Sequence, residues 1–138
     1  MIYLALGTNL GERAWNLEQA KALLAEELRT DMLCSEILET DAIGFSGPAF
    51  LNQVVGFESE MKPEALLDVC QKVEREMGRP AHEAEYDPQG HRIYHDRIID
   101  IDILTYNDLK IKTDRLVLPH PQVWERPYVK QLLNDITI

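Results

Sequence analysis

The stretch that decides the fold is Arg97-Ile98-Ile99-Asp100-Ile101-Asp102-Ile103-Leu104-Thr105-Tyr106. Isoleucine takes positions 99, 101 and 103 with aspartate between, the period of a strand whose alternate residues share a face. The isoleucines then point into a core, while Asp100 and Asp102 point together the other way. At a strand's rise their Cα atoms lie about 6.6–6.8 Å apart. Two carboxylates at that separation repel each other unless a cation lies between them. Hard oxygen donors of this kind suit Mg²⁺, which keeps waters and completes its shell with substrate phosphates. An edge strand showing acids to solvent gives the same alternation, so the pair alone leaves both readings open. Arg97, with Arg79, His120 and Arg126 flanking the region in sequence, favours a site, because phosphates beside metal-bound carboxylates call for cations on their far side.

The rest of the chain supplies partners for this strand, expected over 97–106. Residues 2–6 (Ile-Tyr-Leu-Ala-Leu) read as a buried strand stopped by Gly7-Thr8-Asn9. From Glu12 to Leu28 the residues Ala14, Leu17, Ala20, Leu24 and Leu28 repeat at helical spacing, and Thr8 or Asn9 can cap the start. A second strand is expected at 32–39, a loop at 40–48 and a third strand at 50–59. Pro63 opens a second helix whose apolar face carries Leu66, Val69, Val73 and Met77, and Gly78 closes it. Residues 80–96 are polar without a period, and a loop of that length is expected to be functional or mobile. A short apolar run at 116–118 leads to Pro119-His120-Pro121 and a helical tail. Strand–helix–strand–strand–helix–strand is the order of an α+β, ferredoxin-like sandwich. Two helices cover one face of an antiparallel sheet and leave the other partly open for a site. The 138 residues make a single domain over 1–138.

Composition removes several classes of partner. The chain carries 14 Lys and Arg against 24 Asp and Glu, a formal net charge of −10. Duplex nucleic acid and anionic membranes both call for a basic surface. The same charge, and the absence of an aromatic RNA-stacking strand, count against an RNA-binding use of this fold. A small phosphorylated ligand stays open, since a few arginines and a metal ion reverse the sign locally. The first seven residues lack a basic leader, and no apolar run reaches the length of a membrane span, so a cytoplasmic location is expected. Cys34 and Cys70 sit in apolar segments and read as reduced core residues. Gly7-Thr8-Asn9-Leu10-Gly11 lacks the spacing and the lysine of a P-loop. His82, His91 and His95 have no spacing that would make them a zinc site.

Five blocks carry a resemblance. They are Gly7-Thr8-Asn9-Leu10; Gly47-Pro48-Ala49-Phe50-Leu51-Asn52; Glu74 through Gly78-Arg79; the 97–104 strand; and Leu118-Pro119-His120-Pro121 with Arg126-Pro127-Tyr128. In this order they cover nearly the whole chain, which resembles the 6-hydroxymethyl-7,8-dihydropterin pyrophosphokinases of folate biosynthesis. The resemblance implies an ATP-dependent diphosphotransferase that moves pyrophosphate from ATP to the pterin hydroxymethyl and leaves AMP. It implies two Mg²⁺ ions held by Asp100 and Asp102, with Arg97 and Arg79 also catalytic. ATP would meet Glu74, Arg79, Arg97, Ile103, His120 and Arg126. The pterin would lie between Phe50 and Tyr128, its amide edge read by Asn52 through a paired donor and acceptor, with Thr40, Ile43 and Asn9 alongside. Residues 80–96 would close over ATP as a lid. That loop departs from the family in lacking its tryptophan and dense arginines, with Tyr94 and Arg92 as the nearest equivalents. A monomer is expected. The alternative is a non-catalytic pterin- or nucleotide-binding module on the same fold.

Overall fold

Residues 1–41, 48–78, 85–86, 88, 92–93 and 98–137 are described by the computed structural model. In chain order the elements are β1 (Ile2–Thr8), α1 (Arg13–Leu28), β2 (Leu33–Cys34), β3 (Leu38–Thr40), β4 (Phe50–Phe57), α2 (Pro63–Glu76), β5 (Glu85–Tyr86), β6 (Arg92–Ile93), β7 (Asp100–Tyr106), β8 (Ile111–Lys112), β9 (Val117–Leu118), α3 (Gln122–Glu125) and α4 (Pro127–Ile136). The main sheet runs β2/β3–β4–β1–β7 with every pair antiparallel. This is the expected ferredoxin-like arrangement. Among the described residues no helix is long and apolar enough to cross a membrane.

Alternation along the strands builds one dry layer. Ile2, Leu4 and Leu6 of β1, Val55 and Phe57 of β4, and Ile101 and Ile103 of β7 meet Leu17, Ala20 and Leu24 of α1 and Leu66, Cys70 and Val73 of α2. Burying such side chains is the main favourable term in folding. Ala14, in the first turn of α1, is exposed instead of joining this stripe. Neither Thr8 nor Asn9 caps α1. The chain continues as β1 through Thr8, and Glu12 occupies the cap position without a side-chain bond. Asn16 organises the turn from inside the helix, donating to Thr8 Oγ1 at 3.1 Å and to the Leu10 carbonyl at 2.7 Å. Gly78 does close α2, with φ at +95°, a conformation that a side chain disfavours.

Two further expectations change. The second strand is two short ones, because at Ser35 the side chain intervenes: its Oγ accepts from Val54 N at 2.9 Å, and Gln53 Nε2 donates to its carbonyl at 2.7 Å. Cys34, on β2 at the sheet's edge, is exposed, whereas Cys70 is buried, and both are free thiols. The face opposite α1 and α2 is partly open as expected, with Val129, Leu132 and Leu133 of α4 packed on Val54 and Leu104 over the rest. Of the 80–96 segment, the described backbone pairs β5 with β6, while the lid reading lies outside the described residues.

One irregularity divides β7. Leu4 faces Ile103 while Tyr3 faces Thr105, so Leu104 is an extra residue on β7. Leu104 stays on the Asp100 and Asp102 face, in the α4 cluster, and the bulge returns Tyr106 to the α1/α2 layer. The strand begins at Asp100 rather than at 97.

Candidate active site

The uncovered half of the second face is where the polar residues of the strands collect. Asn52 of β4 and Asp100 of β7 both stand opposite Gly7 of β1, and Asp102 stands opposite Ala5. Gly7 brings no side chain to the middle of this row, so the floor between Asn52 and Asp100 is flat. A Cβ there would lie 3.6 Å from Asn52 Oδ1 and 3.7 Å from the Phe50 ring. Above the floor is a cavity of about 580 Å³, a size common for small-molecule sites. Its walls come from β7, from β4, from the end of β3, from α2 and from the 113–132 segment.

The cavity gathers most of the residues singled out from sequence. Asp100, Asp102, Ile103 and Glu74 form one wall, with His120 and Arg126 beside them. Thr40, Phe50, Asn52 and Tyr128 line the other part. Asn9 is not on the wall. It is 1% exposed and donates through Nδ2 to the Pro48 carbonyl at 3.1 Å, so it holds the turn entering β4 from beneath. Arg13 reinforces that turn by donating to the Ala49 carbonyl at 2.7 Å. Arg79, Arg97 and Ile43 lie outside the described residues.

Asn52 differs from its expected paired donor and acceptor. Its amide nitrogen donates to the Leu38 carbonyl at 3.2 Å and to Thr40 Oγ1 at 2.8 Å, both on β3. The two amide hydrogens are thereby used, and the group keeps Oδ1 for anything bound above Gly7.

Charge is concentrated at the other end. Burial pushes the Asp102 carboxyl up to about 7, helped by the neighbouring Asp100 charge and by Glu74. A bond from Gln122 Nε2 to Asp102 Oδ2, 3.0 Å long, and the charge of Arg126 pull in the opposite direction. Glu74 is only 5% exposed, and its Oε2 accepts the Ile101 N–H at 2.9 Å, between the two aspartates. His120 is lowered from its ordinary value, first by burial and then by the Arg126 charge. Because Gln122 N donates to His120 Nδ1 at 3.2 Å, that nitrogen carries the lone pair, and the ring's single proton sits on Nε2. Arg126 Nη1 donates to Tyr128 Oη at 3.1 Å, joining the aromatic and cationic sides of the cavity.

The donor set fits a hard divalent cation. Two carboxylates from one strand face share a confined space where burial and then the Asp100 charge raise Asp102, and a cation between them would favour its charged form. No group of three or more potential ligand side chains occurs among the described residues. The pair would therefore leave most of the cation's shell to water and phosphate oxygens, as Mg²⁺ ordinarily requires.

Sequence reasoning missed two residues here. Gln122 is buried against Asp102, and the only trace of it in the sequence is an uncharged polar residue two places after His120. Arg115 lines the cavity mouth and pairs with Asp68 at 2.7 Å and Glu64 at 3.2 Å on α2. It sits in a polar turn with no pattern to distinguish it.

Comparison with known proteins shows the family. The family model described as 7,8-dihydro-6-hydroxymethylpterin-pyrophosphokinase matches residues 3–138. A 2-amino-4-hydroxy-6-hydroxymethyldihydropteridine pyrophosphokinase from Porphyromonas gingivalis is 40% identical over 138 residues, covering 99% of this chain and 90% of that protein. The enzyme of the same name from Bacillus subtilis is 38% identical over 136 residues, covering 97% and 76%. A folate synthesis bifunctional protein of Arabidopsis thaliana is 35% identical over 136 residues, which is 98% of this chain and 26% of that longer protein. The chain belongs to the family of 7,8-dihydro-6-hydroxymethylpterin-pyrophosphokinases.

Proposed function

We propose that this cavity is the site where pyrophosphate passes from ATP to 6-hydroxymethyl-7,8-dihydropterin, giving the pterin diphosphate and AMP in folate synthesis, with Asp100 and Asp102 holding two Mg²⁺ ions. The observation that carries the reading is the row Asn52–Gly7–Asp100 across three adjacent strands. Two strand spacings are about 9–10 Å, a span that a bicyclic ring and its one-carbon arm can bridge. A ring held at Asn52 thus delivers its hydroxyl to the carboxylate pair.

Each side chain then has a task suited to its surroundings. Phe50 and Tyr128 offer aromatic faces to the ring. Asn52 Oδ1 accepts from the ring's N–H groups, and β3 holds the amide in that orientation. His120, neutral with its proton on Nε2, donates to a phosphate oxygen. Arg126 stays protonated, because Tyr128, Asp102 and Asp100 outweigh the effect of its burial, and it balances the triphosphate charge. Glu74 fixes the backbone between the aspartates, so both carboxylates keep their places. Mg²⁺, when bound, neutralises charge on the phosphate oxygens and favours loss of the attacking hydroxyl's proton. Such catalysis is mainly positioning and electrostatics, and no covalent intermediate is needed. We place this activity in one domain over 1–138, acting as a cytoplasmic monomer.

The test is to incubate the protein with MgCl₂, ATP and 6-hydroxymethyl-7,8-dihydropterin and to separate the nucleotides. The expected products are AMP and pterin diphosphate in equal amounts, abolished by EDTA. ADP in place of AMP, or both substrates bound without any AMP, would overturn the proposal. The second of these outcomes is what a binding module would give.

A further inference from the structure

We propose that Gln122 is a positioning residue that orients the Asp102 carboxylate toward the cation, an inference resting on the reading of Asp102 as a Mg²⁺ holder. Gln122 opens α3, whose other residues, Val123, Trp124 and Glu125, are half-buried or exposed. Its own side chain is only 4% exposed, and a buried carboxamide is costly unless its hydrogens are bonded. Nε2 donates to Asp102 Oδ2 at 3.0 Å. Rotation of an aspartate about its last torsion is broad, so a single fixed donor selects one orientation from many. With Oδ2 engaged, Oδ1 is the oxygen left to face the cation.

The backbone around Gln122 supports this task. His120 N donates to the Leu104 carbonyl at 2.8 Å, two residues beyond Asp102 on the same strand. Gln122 N donates to His120 Nδ1, and Arg126 N donates to the Gln122 carbonyl at 3.1 Å. The 120–126 segment is thus fastened to β7 at Leu104 by its backbone and at Asp102 by one side chain. A neutral amide is suited to the second fastening. It orients the carboxylate without cancelling the charge that attracts a cation, which an ammonium or guanidinium in its place would do.

The experiment compares Gln122→Met, which keeps the length and loses the donor, with Gln122→Asn, whose carboxamide is one carbon too short. Mn²⁺ affinity is read by electron paramagnetic resonance in the presence of saturating α,β-methylene-ATP, with the nucleotide's own Mn²⁺ binding subtracted. We expect a Mn²⁺ dissociation constant about ten-fold higher in both variants, in the range found for groups that orient metal ligands. The KM for the pterin should change less than two-fold, and the melting temperature by only a few degrees. Mn²⁺ affinity within two-fold of the parent in either folded variant would overturn the inference and leave Gln122 a packing residue. Asp102→Asn is measured alongside. If that variant binds Mn²⁺ as tightly as the parent protein, the reading of Asp102 itself has failed, and Gln122 is not the cause.

Discussion

On the face of the sheet under α1 and α2, Ile101 and Ile103 are buried in an apolar layer while also bordering the cavity, whereas on the other face Asp100 and Asp102 bring carboxylates to it. The same strand, read at alternate residues, supplies both. The isoleucines gain free energy by leaving water, and that gain holds the backbone to which the aspartates are fixed. Asp102 does the opposite, since burial, with Asp100 and Glu74 beside it, disfavours its charge. Burial on one side of the strand thus offsets the unfavourable charge carried on the other.

Substitutions on the two faces should differ accordingly. The largest effect belongs to Asp102→Asn, which should lower turnover by about a thousand-fold while leaving the urea midpoint equal or higher. Steady-state assay and urea unfolding of the same preparation check both halves; a marked loss of stability would erase the contrast. Ile2→Ala, in the same apolar layer on β1 and away from the cavity lining, should do the reverse. Truncating a buried isoleucine costs about 2–5 kcal/mol, and the folded fraction should retain turnover within a few-fold. A selective loss of turnover at unchanged stability would show the faces to be coupled.

The smallest effect is a trend with pH in metal-free protein. The folded state holds a proton on Asp102 up to about 7, against an ordinary value of 3.8, so between these values it binds more protons than the unfolded chain. The stability from this group is present below the lower value and lost as pH rises through the upper one. Urea midpoints measured in EDTA should show this decline in the parent and lose it in Asp102→Asn, and an identical pH dependence in the two would remove the electrostatic half of the comparison.

How much of this was legible in the sequence follows from the range of each interaction. The shared direction of Asp100 and Asp102 was legible because strand period is a local property, and the opening of α2 at Pro63 was legible for the same reason. The break at Ser35 was not, because it depends on Gln53 and Val54 reaching across from β4. Asn52 lines the cavity, but its donors are taken by Leu38 and Thr40, neighbours only once β3 pairs with β4. Gln122 lies 20 residues from Asp102 along the chain, and nothing local marks it as buried. Asn9 belonged to a recognisable block, yet its amide turns beneath Pro48 rather than into the cavity. Patterns within one element survived the passage to three dimensions; the allocation of hydrogen bonds between elements did not show until the elements met.

The bond from Ile101 N–H to Glu74 has a consequence for how molecules of this protein meet one another. β7 is the last strand of the sheet on its side, and an outward amide there is what a strand from a second molecule would seek. Glu74 occupies that amide with a carboxylate from the same chain. At the opposite border β2 and β3 contribute two and three residues, parted at Ser35, too short a template for extended pairing. The carboxylate beside the two aspartates on one border therefore also removes one outward amide from the template an incoming strand would need.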